Sequence, residues 1–140
     1  MLQVVTFAED LQGKTETDFD KWLTLVLKEQ NVAPTDFEQA IIIHNAASMG
    51  DISKNLSQIG GSKEVSDYFN LNLTSFVVLN SVFLHHFPAS QVKNRMVVNI
   101  SSICALQPFK SWSLYCAGEK MIFLSVVYCN HTFSLHRSNI

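Results

Sequence analysis

The chain is predicted to fold as an α/β domain with a doubly wound parallel sheet, and to contain only an interior part of it. Three observations predict this. Short apolar runs alternate with stretches of helical periodicity in the order strand, helix, strand, helix, strand, helix, which implies parallel strands joined by crossover helices on both faces. Polar residues stand just after each apolar run, where such sheets bind ligands. The five glycines, Gly13, Gly50, Gly60, Gly61 and Gly118, nowhere form the G-x-x-x-G-x-G turn that opens such a domain and lets backbone N–H groups approach a pyrophosphate.

The elements are expected in this order. Leu2 to Phe7 is a β-branched run ending at Glu9-Asp10, read as a buried strand that delivers a carboxylate to the sheet edge. Thr15 to Gln30 sets Phe19, Trp22, Leu23 and Val26 at helical spacing behind Asp18, a good capping residue, with Pro34 beyond the end. Ala40 to His44 is a continuous apolar strand, followed by a polar turn from Asn45 to Asp51. Gly60-Gly61-Ser62 starts one long helix reaching to Pro88, with Val65, Phe69, Leu73, Phe76, Leu79 and Phe83 on or near one face. Arg95 to Ile100 is a third strand, Ser101-Ser102 closes it, and the chain turns helical again from Ser113. Met121 to Tyr128 is an apolar run, and CNHTFSLHRSNI reads as an irregular tail, so residues 1–118 and 119–140 are expected to differ in character.

Composition narrows the function. With 140 residues, one core is the limit, and 47% hydrophobic against 16% charged residues argues against disorder. A formal net charge of −2, without a run of Lys or Arg, argues against nucleic acid. The apolar region Leu71 to Phe87 is broken by Asn72, Asn80, His85 and His86, so no membrane span is expected. No secretory signal is read at the start, and Cys104, Cys116 and Cys129 fit reduced thiols, so the expected compartment is the cytoplasm. Cys129, His131 and His136 are one ligand short of a closed zinc site, and no metal is expected. His85 and His86 are expected as exposed helix-end residues near the last carbonyls.

The residues after the strands are Asp10-Leu11, Asn45-Ala46-Ala47 in the form H-N-A-A, Ser101-Ser102, and the segment from Ser113 to Lys120 that contains Tyr115. Together with Asn72 in the long helix, they resemble the short-chain dehydrogenase/reductase family. The stretches SMGDISK, LNLTS and VVNISSICALQPFKSWSLYCAG carry the likeness, which runs from about Leu2 to Gly118. The resemblance implies a Rossmann-like fold and reduction of a carbonyl by hydride from NADPH, with a pterin side-chain ketone as substrate. It implies that Asn72, Ser102 and Tyr115 are catalytic, that Ser102, Ile103 and Tyr115 bind substrate, and that Asp10, Leu11, Asn45 and Ala46 bind cofactor. It also implies a homodimer or heterodimer formed through helices 63–87 and 113–120.

In that scheme Ser102 hydrogen-bonds the carbonyl oxygen and Tyr115 donates the proton. A phenol of ordinary pKa near 10 is a sluggish acid at neutral pH, and the family motif Y-x-x-x-K places a lysine one helical turn later to lower it. This chain reads Tyr115-Cys-Ala-Gly-Glu119-Lys120. Position i+4 lies about 40° around the helix from the tyrosine and position i+5 about 140°. Lys120 is therefore expected to face away, and Glu119 to bring a charge of the wrong sign. Two further expectations stand beside that of an impaired reductase. One is a non-catalytic module that pairs with a full-length reductase, and the other is a chain destabilised by an unprotected apolar sheet edge.

Overall fold

The computed structural model describes residues 8–127 and 132–137. The strand expected over Leu2–Phe7 lies outside the described residues. The first helix, α1, runs Glu16–Glu29 and begins in a capping box: the Thr15 hydroxyl accepts from the Asp18 N–H at 3.3 Å, and the Asp18 carboxylate accepts from the Thr15 N–H at 2.9 Å. Thr15 is thus the cap, and Asp18, expected in that role, is its reciprocal partner three residues on. Asn31 takes a positive φ of 52° just after the helix, and a short turn at Pro34–Asp36 leads into strand β1, Gln39–His44.

The long helix expected between Ser62 and Pro88 is broken. It consists of α2, Ser62–Phe69, a π-turn over Asn70–Thr74, and α3, Ser75–His86. A π-turn adds a residue to the helical repeat and so rotates the side chains beyond it, which periodicity alone does not reveal. Strand β2, Asn94–Ser102, follows, then a 3-10 turn at Ile103–Ala105, helix α4, Ser113–Val127, and strand β3, Thr132–Arg137. Helix α4 crosses Gly118 without a break, and the segment expected to be an irregular tail supplies β3.

The three strands are parallel in the order β1-β2-β3, with Gln39 opposite Asn94, His44 opposite Asn99, and Ser102 opposite Arg137. Alternation decides which side is covered. Ala40, Val97, Asn99 and Ser101 are buried toward the helices, while Ile41 and Ile43 are 48% and 63% exposed on the opposite face. Among the described residues α1, α3 and α4 therefore pack on one face, not on both as expected.

The core lies between that face and the helices. Ala40, Phe83, Phe87 and Val92 form one cluster, and Phe19, Leu79 and Val82 form a second, bridged by Leu23 and Ile42. Phe76 and Ile122 join α3 to α4. His86, expected to stay near the helix-end carbonyls, instead reaches Asp20 on α1 at 2.8 Å and ties the two helices. Gly118 lets α4 approach α2 closely, since a Cβ there would lie 3.1 Å from the Tyr68 hydroxyl. No helix among the described residues is long and apolar enough to cross a membrane.

Candidate active site

At the carboxyl ends of β1 and β2 the sheet opens into a cavity of about 140 Å³, lined by Asn45, Ala47, Ile100, Ser101, Ser102, Tyr115 and Glu119. Ser102 is the last residue of β2 and only 2% exposed, and Tyr115 lies in the first turn of α4. Parallel pairing and the α4 crossover bring these two to the lining of the same cavity. The Ser102 hydroxyl accepts from the Cys104 N–H at 3.3 Å.

Glu119 decides the electrostatics. It is 5% exposed, and its carboxylate accepts from the Ser101 hydroxyl at 2.6 Å and from the Ser102 N–H at 3.0 Å. Lys120 points away, exposed, with its ammonium 5.6 Å from the centre of the Phe123 ring. The Tyr115 phenol is held above its ordinary pKa, first by burial and then by the negative charge of Glu119, against the opposing pull of the Ser102 hydroxyl. Tyr68, packed beside Gly118, is pushed upward as well, by burial and then by Glu119.

Asn72 sits at the centre of the π-turn and is buried. Its amide nitrogen donates to the Tyr68 carbonyl at 3.0 Å, and its amide oxygen accepts from the Ser48 N–H at 2.8 Å, so it pins the loop after β1 to the broken helix. Asn72→Ala leaves both backbone groups without that partner. It is expected to cost about 1–3 kcal/mol of stability, read from the urea midpoint.

The residues assigned to cofactor binding are spread along the sheet edge. Asp10 is exposed and accepts from the Gln12 N–H at 2.9 Å. Leu11 packs against the Phe19, Leu79 and Val82 cluster, Asn45 and Ala46 are exposed after β1, and Ile103 begins the 3-10 turn. A second cavity of about 250 Å³ lies beside Leu11, Asn45 and Asn72 and is also bordered by Trp22 and Asn99. Two of its buried donors, Trp22 Nε1 and Asn99 Nδ2, have no hydrogen-bond partner. Sequence reading named Ser101 beside Ser102 but missed Asn99, and both are buried polar residues. The signal was their alternation with apolar Val98 and Ile100 on a strand.

His44 closes β1 with Nε2 2.7 Å from the Asn80 amide oxygen and its ring centre 4.4 Å from that of Phe76. Burial lowers its pKa below the ordinary 6.5, with the Asn80 bond opposing. A depressed histidine favours the fold while neutral, so its contribution is intact above pH 6.5 and is lost as pH falls through the lower folded value. The urea midpoint is expected to drop less between about pH 7.5 and pH 5 in His44→Asn than in the unsubstituted chain.

The sequence pattern of the short chain dehydrogenase family matches residues 30–122. The chain belongs to that family. Bovine sepiapterin reductase is 50% identical over 86 residues, 61% of this chain and 32% of that protein. The mouse sepiapterin reductase is 42% identical over 118 residues, 84% of this chain and 44% of that protein. A short chain dehydrogenase from Escherichia coli CFT073, solved in complex with NADPH, superposes with a TM-score of 0.68 at 18% identity over 86% of this chain and 46% of that one, which shows the shared fold. The chain thus spans less than half the length of these relatives, in the part of a short chain dehydrogenase that includes the ends of β1 and β2 and the start of α4.

Proposed function

We propose that this chain carries the carbonyl-facing part of a reductase for pterin side-chain ketones, in a form whose proton donor is set back by Glu119. The observation that carries the reading is the convergence of Ser102 and Tyr115 on one cavity at the carboxyl end of β2, together with 42–50% identity to sepiapterin reductases. The Ser102 hydroxyl would orient the ketone oxygen, and the Tyr115 phenol would pass it a proton as negative charge develops there.

NADPH supplies the hydride in this scheme. By the resemblance, Asp10 and Leu11 would meet its adenine end, and Asn45 and Ala46 would bind it after β1. The rest of the site fits it poorly: the glycines form no phosphate-binding turn, and a buried carboxylate stands where a cation would serve both the phenol and the ribose. The purified chain, mixed with NADPH and sepiapterin, is therefore expected to show NADPH oxidation at the level of a protein-free blank. Turnover comparable to an intact reductase would contradict the reading.

A second reading, favoured by exposed apolar residues on the helices beside the site, is that the chain pairs with a full-length reductase in the cytoplasm and lowers its activity. Val77 on α3 and Met121 and Leu124 on α4 are each about half exposed. A tagged chain is expected to retain a sepiapterin reductase on affinity resin, and failure to do so at micromolar concentrations would remove this reading.

A further inference from the structure

We propose that the apolar segment Leu2–Phe7 docks on the free edge of β1 as a further parallel strand and closes the groove between β1 and α1. The inference does not depend on whether this chain reduces a ketone.

Strand β1 bonds to β2 along one edge, and no strand among the described residues pairs with the other. In a parallel ladder every second residue turns its N–H and C=O to the same side, so alternate residues of Gln39–His44 present both groups at the free edge. Such an edge is a template for another strand. Beside it lies a groove of about 350 Å³, bordered by Trp22, Leu23, Val26 and Leu27 of α1 and by Ala40 and Ile42 of β1. None of the residues lining it is charged. The groove therefore suits an extended, uncharged, apolar occupant and would strand a charged one without solvent.

The segment Leu2–Phe7, outside the described residues, has that character. It reads L-Q-V-V-T-F, uncharged and rich in strand-favouring residues, with Leu2 and Val4 on one side of a strand and Val5 and Phe7 on the other. Its six residues span about 20 Å when extended, the same as the six residues of β1. The following residues set its direction. Leu11 borders a cavity together with His44 and Asn45, at the carboxyl end of β1, and packs on Phe19, Leu79 and Val82. Phe7 precedes Leu11 by four residues and so lies within about 14 Å of that end. A strand that ends there and lies along β1 runs parallel to it. Glu9 and Asp10, which come next, are exposed, so the first charges after the segment stay in water. The other segments outside the described residues, 128–131 and 138–140, are shorter than β1 and flank β3 at the opposite edge of the sheet.

The test is amide hydrogen exchange of the full chain, resolved residue by residue by nuclear magnetic resonance. The β1 amides that face the free edge are expected to exchange on the order of 100-fold more slowly than amides of an exposed loop, at every protein concentration. Cross-strand nuclear Overhauser contacts between residues 2–7 and 39–44 should identify the occupant without any substitution. Adjacent residues of a strand point their N–H groups to opposite edges, so only one of Val4→Pro and Val5→Pro removes a ladder bond. That variant should speed exchange of the outward β1 amides by about tenfold or more and the other variant much less, while Val97–Ile100 in β2 stays protected in both. Outward amides that exchange like a loop in the unsubstituted chain would overturn the proposal, and so would protection unchanged by both prolines. Protection that rises with concentration, alongside a doubled mass, would give the edge to a second copy of the chain and overturn it as well.

Discussion

Glu119→Lys is expected to lower the pH at which the Tyr115 phenol ionises, with Glu119→Gln between it and the unsubstituted chain. With NADPH and sepiapterin the lysine variant is expected to raise NADPH oxidation above the protein-free blank at which the unsubstituted chain stands, because its phenol is a better-matched general acid. The sign follows from the site. Glu119 is buried and adds to the rise of the Tyr115 phenol, so removing its charge removes one of the two main upward effects, and a cation reverses it. Burial, the larger effect, stays in place in both variants. Lys120→Ala is the control: its ammonium lies against Phe123 and is exposed, so the phenol titration should be unchanged. A lowered phenol pKa without a gain in rate would place the remaining deficit in cofactor binding, in keeping with the absent glycine turn. A phenol pKa that rises in Glu119→Lys would contradict the electrostatic account.

Phe83→Ala is expected to destabilise the fold by about 3–5 kcal/mol, a large part of the roughly 5–15 kcal/mol that holds a domain of this size together. Phe83 is 5% exposed and joins Ala40 of β1 to Phe87 and Val92, with its ring centre 5.1 Å from that of Phe87. Its loss opens a cavity between α3 and β1, whose opposite face leaves Ile41 and Ile43 exposed among the described residues. Val77→Ala, on an exposed side of the same helix, is expected to change stability by less than about 1 kcal/mol. Urea unfolding followed by far-ultraviolet circular dichroism measures both, and equal losses would show that the helix does not pack on the sheet as described.

The parts that could be read in the sequence were those written in local chemistry. The runs AIII and MVVNI became β1 and β2, because short segments rich in β-branched residues and flanked by polar turns favour strands. Ser102 and Tyr115 were visible as a motif, and the opposite orientations of Glu119 and Lys120 followed from helical geometry. What stayed hidden depends on tertiary contacts. The π-turn at Asn70–Thr74 is fixed by Asn72 reaching Ser48 across the chain, a contact 24 residues long. Strand β3 gives only a weak local signal, Phe133 and Leu135 alternating with Thr132, Ser134 and His136, and its partner is a strand more than 30 residues earlier. The Asp18 cap was misplaced by three residues because both members of a capping box are good caps by composition.

The most direct test of the account is the ionisation of Tyr115 itself, followed by carbon-13 at the phenol ring in selectively labelled protein between about pH 7 and pH 12. The account predicts that this resonance titrates above the free-tyrosine value of about 10 and moves down in Glu119→Gln. Titration below that value in the unsubstituted chain, or an unchanged curve in the variant, would contradict the claim that a buried carboxylate holds the proton on the phenol.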